Sequence, residues 1–277
     1  MIFKSNVFNL NFKNAVGYLT FKNFENFNFL RHGFSTRLGG VSQNEFFSMN
    51  LGFNRGDNHD NVVKNYHLFC NAIGVSYESL VASSQDHNTY IRIVTELDKG
   101  IGIYRPKDIS SVDGLLTNVS EVTLVTYYAD CVPLFFVDNN LKIIGLAHAG
   151  WRGTASKIAV KMIDKMKSVY GCNEKNIFVG IGPSIGPCCY EVDTPVANQF
   201  FNIKELNPYN NCIIAKENGK YNINLWEVNK ALLLSSGVPS KNIFTTDICT
   251  SCMNDLLISH RKTHGKRGTM AAMMQLI

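Results

Sequence analysis

Ile143-Ile144-Gly145-Leu146-Ala147-His148-Ala149-Gly150-Trp151-Arg152-Gly153-Thr154 is the stretch that decides the fold. Its apolar first half reads as a buried strand. A loop of small residues follows, and a helical pattern begins at Thr154. Thr154 can cap that helix, Ile158, Met162, Ile163, Met166 and Val169 form one stripe, and Gly171 stops it over 154–170. A strand that turns directly into a helix places His148 at the strand's C-terminal end, where α/β architectures carry reactive groups. Gly150 and Gly153 let a ligand approach the backbone, while Arg152 and the helix start favour an anion. The same residues also fit a packed histidine beside an ordinary strand-to-helix turn.

Outward from this stretch, apolar runs predict strands at 122–128, 132–137, 142–148, 176–181, 243–247 and 269–276. Residues 1–30 alternate weakly, as in Gly17-Tyr18-Leu19-Thr20-Phe21, and read as short antiparallel strands. Val62, Tyr66, Phe69 and Ile73 fall on one face of a helix over 60–73 that Gly74 ends. A helix over 224–236 opens with Asn224 and Glu227, which resemble a capping box, and Gly237 follows it. Asp193-Thr194-Pro195 starts a shorter one. A strand-rich start and a mixed centre predict an α+β fold, with helices covering layered mixed β-sheets. Without a tandem repeat or a Pro/Ser linker, residues 1–277 are expected to form one domain.

Composition narrows the function. The 277 residues are 45% hydrophobic and 18% charged, which excludes a mainly disordered chain. The longest apolar runs, such as Val132–Val137, are far too short to cross a bilayer. The first residues break their apolar letters with Asn and Lys, so no signal peptide is expected and a cytoplasmic location is. A net charge of +5 is too mild to argue for nucleic acid, though it suits a phosphate-bearing substrate. Eight cysteines without an export signal read as thiols or metal ligands rather than a disulfide framework. Cys249-Thr250-Ser251-Cys252 is a single CxxC with no second one to make a zinc ribbon, and it reads as structural. The vicinal Cys188 and Cys189 read as tolerated structure.

Two further stretches carry possible chemistry. In Tyr128-Ala129-Asp130-Cys131-Val132-Pro133 a cysteine sits at the junction of two apolar strands. It fits either a small buried hydrophobe or a ligand or nucleophile. In Ser83-Ser84-Gln85-Asp86-His87-Asn88 a histidine lies in a polar loop. His87, Cys131 and His148 together offer two imidazoles and one thiolate, a set that leaves a fourth position open as catalytic zinc requires. Two loops rich in backbone donors, 31–42 with Asn50 and 180–191, suit an anionic or sugar substrate. Neither is a P-loop or a GxGxxG fingerprint. The tail His260-Arg261-Lys262-Thr263-His264-Gly265-Lys266-Arg267 is either a solvated face or returns a phosphate-binding arginine to the site.

At these same residues the chain resembles the YfiH family, known variously as polyphenol oxidase (laccase) domain proteins, purine nucleoside phosphorylases and peptidoglycan editing factors. The matching stretches run in the family's order. They are Ser35–Ser42, Met49–Gly52, Gln85-Asp86-His87, Ala129–Leu134, His148-Ala149-Gly150-Trp151-Arg152-Gly153, Gly182–Gly186 and Ser259-His260-Arg261. The resemblance implies metal ligation by His87, Cys131 and His148, with zinc expected and copper possible. It implies phosphorolysis of purine nucleosides, with adenosine deamination and methylthioadenosine cleavage as companions. Arg37, Asn50, Arg152 and Arg261 become the candidate substrate and phosphate contacts. Two positions depart from the family. Asn88 stands where glycine is usual, and Ser-His-Arg-Lys replaces Ser-Tyr-Arg-Arg, so that only Arg261 carries over from the tail.

The leading expectation is therefore a zinc-dependent purine nucleoside phosphorylase with adenosine deaminase side activity, acting on purine nucleosides and phosphate. The cytidine-type deaminase signature, H-x-E with P-C-x-x-C, is absent, so any deamination needs another site design. Three alternatives stand beside it: a copper polyphenol oxidase, a cysteine hydrolase with Cys131 as nucleophile and His148 as base, and a peptidoglycan-editing factor.

Overall fold

The computed structural model describes residues 3–208 and 211–277. The chain opens with β1 (Phe8–Lys13), β2 (Val16–Phe21) and β3 (Leu30–Ser35), followed by α1 (His59–Ile73). Short strands β4 (Leu80–Ala82), β5 (Ile91–Ile93) and β6 (Gly114–Thr117) lead to the long β7 (Thr123–Tyr128), β8 (Val132–Asp138) and β9 (Ile143–Ala149). Then come α2 (Trp151–Ala155), α3 (Ile158–Tyr170), β10 (Ile177–Ile181), β11 (Glu191–Val192) and α4 (Thr194–Phe201). The chain ends with β12 (Ile213–Ala215), β13 (Tyr221–Ile223), α5 (Leu225–Ser235), β14 (Ile243–Thr245) and β15 (Met270–Leu276).

Two six-stranded mixed sheets result, in the orders β1-β2-β3-β15-β7-β4 and β14-β10-β8-β9-β6-β5, with a small sheet β11-β13-β12 beside them. The alternation of side chains explains the layering. In β15, Ala272 and Met274 point into a core shared with Phe135, Val137, Ile144 and Leu146 of the second sheet. Ala271 and Met273 point the other way, onto α1 residues Val62, Tyr66 and Phe69. In β8, Leu134 and Phe136 instead meet α3 and α5 through Met162, Ile163, Val228 and Leu232. The order is thus helix, sheet, sheet, helix. Central strands are covered on both faces, which is why they read as unbroken apolar runs. The α+β assembly of layered mixed sheets expected from the sequence is the observed one. Among the described residues no helix is long and apolar enough to cross a membrane.

The helix expected over 154–170 needs correction. Helical structure starts three residues earlier, at Trp151 with Gly150 as N-cap, and breaks at Lys157, whose φ is +61°. Thr154 lies inside α2 and returns its hydroxyl to the Ala149 carbonyl at 3.2 Å. The cause is the tight exit from β9. A Cβ on Gly153 would stand 3.3 Å from the carbonyl oxygens of both Asn88 and His148. The chain therefore has to turn at once, and it resumes a new axis after Lys157. At α5 the Asn224 side chain accepts from the Glu227 amide at 3.2 Å, the forward half of the expected box. The short β4, β5 and β6, and the third sheet, carry too few residues to show a period.

Candidate metal centre and substrate cleft

Strand pairing brings the three proposed ligands to one end of the sandwich. β8 and β9 are antiparallel with Val132 opposite Ala149, so Cys131 at the entry of β8 meets His148 at the exit of β9. β4 runs parallel to β7. The loop after β4, which carries His87, therefore emerges beside Tyr128 and the Ala129-Asp130-Cys131 turn. The ligand atoms of His87, Cys131 and His148 all lie within 4.8 Å of one another. Cys131 Sγ is 3.9 Å from His87 Nε2, and the two imidazole centroids are 4.9 Å apart. His148 is buried, Cys131 half-buried and His87 exposed.

A residue that the sequence reading passed over organises the trio. Asp113, wholly buried at the entry of β6, sits beside His148 because Gly114 pairs with Ala147. One of its oxygens accepts from His148 Nδ1 at 2.7 Å and from the His87 amide at 3.1 Å. The other accepts from the amides of Asn88 at 2.9 Å and Asp86 at 3.2 Å. These bonds hold His87 at a φ of +71°, a left-handed conformation that histidine tolerates better than most residues. Gln85 clamps the same loop to β7, with its oxygen on the Tyr127 amide at 2.6 Å and its nitrogen on the Tyr127 carbonyl at 2.8 Å. The only sequence signal for Asp113 was an acid directly preceding an apolar strand, a pattern shared with many turns.

Electrostatics suit a metal. Burial alone would raise the Asp113 carboxyl, but the His148 bond and charge, with the Asn88 and Asp86 amides, hold it below the usual carboxylate range. Burial likewise opposes ionisation of Cys131 and His148, yet their mutual attraction, with His87 and Asp113, drives the thiol down and the imidazole up. Asp113 occupies Nδ1 of His148 and so leaves Nε2 for a ligand, the carboxylate–histidine arrangement that surrounds many metal ions. Space has been left too. A Cβ on Gly150 would lie 2.8 Å from His87 Cδ2, 3.2 Å from Cys131 Sγ and 3.5 Å from His148 Cε1. The donor set and the cradle both fit a metal ion.

Asp113→Asn is expected to weaken metal binding about 10- to 100-fold, the usual cost of removing an outer partner of a ligating histidine. An asparagine NH2 would also face the amides of Asp86 and Asn88, donor against donor. Competition with a chromophoric chelator measures the affinity; parental affinity would show that Asp113 does not orient the trio.

The trio forms one end of a cleft of about 550 Å³, within the range that accepts a small organic ligand. Arg55, Lys107 and Arg267 line it, together with Phe53, whose ring stacks on Tyr66 at 5.3 Å. Arg267 is the notable cation, at only 9% exposure. One terminal nitrogen donates to the Gly268 carbonyl and the Thr269 hydroxyl, whereas Nε has no partner among the described residues. Burial and the nearby Arg55 charge push its guanidinium down to about 10.

The four proposed substrate contacts are distributed differently. Arg37 turns Nε to the Leu257 carbonyl at 3.1 Å and is absent from the cleft wall. Asn50 is fully buried and binds the amides of Gly52 and Thr269, so it shapes the wall from behind. Arg261 gives a guanidinium nitrogen to the carbonyls of Glu191 at 2.9 Å and Cys189 at 3.2 Å. Arg152 stacks on Trp151 at 4.2 Å and borders a second depression on the other flank of His87. Arg55 has no sequence signal, and Arg267 is one of four cations in the 261–267 tail, where sequence alone does not separate it from Arg261.

Residues 31–277 match the family model described as multi-copper polyphenol oxidoreductase laccase. The chain is 37% identical to "Purine nucleoside phosphorylase YlmD" of Geobacillus stearothermophilus over 243 residues, 87% of this chain and 88% of that one. It is 31% identical to a "Purine nucleoside phosphorylase" of Bacteroides thetaiotaomicron, covering 92% and 94% respectively. The crystal structure of Bacillus licheniformis YfiH superposes with a TM-score of 0.92 at 33% identity, over 98% of this chain and all of that one. Sequence, topology and coverage agree, and the chain belongs to this YfiH family of multi-copper polyphenol oxidoreductase laccase proteins.

Proposed function

We propose that the protein is a zinc-dependent purine nucleoside phosphorylase that takes inosine, adenosine and methylthioadenosine with inorganic phosphate, and that deaminates adenosine as a side activity. The observation that carries this reading is one cleft holding both the His87–Cys131–His148 trio and the buried, incompletely partnered Arg267. The relatives named purine nucleoside phosphorylase support it.

In phosphorolysis a phosphate oxygen bonds to C1′ of the ribose while the bond from C1′ to the base nitrogen breaks. The base leaves with the electron pair and takes up a proton. The protein must hold a dianion against a sugar and steady a leaving base. Arg267 and Arg55 are the cations for the phosphate, since a planar guanidinium can grip two oxygens at once. Arg152 stands on the opposite flank of His87 as a reserve contact. Phe53, backed by Tyr66, offers an aromatic face for the purine. Zinc held by His87, Cys131 and His148 would supply a Lewis acid at this end of the cleft, and toward water the same acidity suits deamination.

Inosine should yield hypoxanthine and ribose-1-phosphate only when phosphate is present. Chromatography of both products against phosphate concentration checks this. Equal base release in phosphate-free buffer would mean hydrolysis and would overturn the reading.

One arrangement favours a second reading. Cys131 Sγ lies within 4.8 Å of a His148 ring nitrogen and His148 donates to Asp113, the thiol, imidazole and carboxylate set of a cysteine hydrolase. A hydrolase would keep working after chelation, whereas the phosphorylase would stop. A copper oxidase has less support, because of seven histidines only His87 and His148 meet in the trio.

A further inference from the structure

Four cysteines that the sequence separates into two unrelated pairs meet in a cluster separate from the trio. β10 and β14 are neighbouring parallel strands, so the loops leaving them emerge at the same end of the sheet. The first loop carries Cys188 and Cys189, and the second carries Cys249 and Cys252. Ser184 and Cys249 form a bridge between the loops, and the Thr250 amide donates to the Ser184 carbonyl at 3.0 Å. All four sulfurs lie within 4.8 Å of one another. Cys252 Sγ is 3.5 Å from Cys189 Sγ and 3.6 Å from Cys188 Sγ.

We propose that Cys188, Cys189, Cys249 and Cys252 form a second metal site, a closed tetrathiolate site for a single zinc ion. Tetrahedral zinc at its usual bond length to sulfur sets sulfurs about 3.8 Å apart, close to the separations seen here. An iron–sulfur cluster would spread the four thiolates further than one ion does. The Gly186 amide donates to Cys249 Sγ at 3.2 Å, the kind of bond that stabilises charge on a ligating thiolate. Gly186 is also sterically required there: a Cβ would stand 3.1 Å from the Cys249 Cβ and 2.8 Å from the Trp226 ring. On binding, each cysteine gives up its thiol proton to solvent, and four sulfur ligands leave no position open for substrate.

The site has a structural task. Within the CxxC, the Thr250 hydroxyl donates to Asp130 Oδ1 at 2.6 Å. The Arg261 amide donates to Asp130 Oδ2 at 2.6 Å, and the Arg261 guanidinium reaches back to the Cys189 carbonyl at 3.2 Å. Asp130 holds a φ of +89° directly before Cys131. Zinc across the four cysteines would pin both loops, and through Asp130 the turn that presents Cys131.

The experiment counts metal in full-length protein purified with reductant and without oxygen. Two equivalents of zinc per chain are expected. Cys131→Ala should lower this to one, and Cys189→Ser/Cys252→Ser should also lower it to one. Cobalt provides a readout that does not depend on the double variant folding. Cobalt-loaded Cys131→Ala protein, whose trio has lost its thiolate, should still show the intense near-ultraviolet sulfur-to-cobalt band of a tetrathiolate site. A parent protein whose only zinc is lost in Cys131→Ala, a Cys131→Ala protein without that band, or a disulfide among the four cysteines found by mass spectrometry would each overturn the proposal, whereas a single zinc that survives Cys131→Ala would uphold it and count against the trio instead.

Discussion

Replacing Cys131 with alanine is expected to lower bound metal by one equivalent per chain and phosphorolysis by more than about a hundredfold, with the fold intact. In the proposed site the trio supplies all three protein ligands, so neither of the remaining two replaces the one removed. Loss of an outer partner alone costs about 10- to 100-fold in affinity, and loss of a ligand itself costs at least as much. The fold should survive because Cys131 lies in a turn before β8 and is only half-buried. The backbone there is held by other bonds, among them the Ile185 amide on the Asp130 carbonyl at 2.9 Å. His87→Ala and His148→Ala should lose the same equivalent. His148→Ala should also destabilise the protein, because it strands the buried Asp113 carboxylate without its cationic partner. Metal analysis with thermal unfolding in chelator separates the two effects. A Cys131→Ala protein with parental metal content and parental phosphorolysis would remove Cys131 from the ligand set.

The trio and the framework around it were legible from the sequence for different reasons. β7, β8, β9 and β15 are covered on both faces, so their apolar runs announce themselves. His148 sits where such a run breaks into glycines, and His87 and Cys131 have donor chemistry that stands out in their loops. What stayed hidden were the residues whose importance depends on partners distant in the chain. Asp113 looks like any acid before a strand until β6 pairs with β9 and brings it to His148. Cys188 and Cys249 are 61 positions apart, and only the parallel pairing of β10 with β14 joins their loops. The break at Lys157 has no sequence signal because the apolar stripe after it is sound; the constraint lies upstream, where Gly153 presses against Asn88 and His148.

The cationic tail shows the same limit and yields the sharpest test of the phosphate site. Residues 261–267 contain Arg261, Lys262, Lys266 and Arg267, and sequence pattern favoured Arg261. The tertiary structure gives these cations distinct surroundings. Arg261 is engaged by the carbonyls of Cys189 and Glu191, Lys266 is exposed, and Arg267 is buried in the cleft wall with Nε unpartnered among the described residues. A buried guanidinium beside a second cation is costly to keep charged. An anion between Arg267 and Arg55 would relieve both burial and repulsion. Arg267→Lys is therefore expected to lower kcat/KM for phosphate by about a hundredfold or more, in line with the roughly 2.7–4 kcal/mol lost when one preorganised anion donor is removed. Lysine keeps the charge but not the planar fork, so the defect should appear mainly in KM for phosphate, while metal content stays parental. Arg261→Lys should instead loosen the loop over 189–191 with little change in phosphate KM. Lys266→Ala should shift it by less than about 1 kcal/mol, as exposed charges do. If phosphate titration finds Arg267→Lys parental and Arg261→Lys impaired, the anion lies at Arg261, outside the wall that Arg267 and Arg55 build.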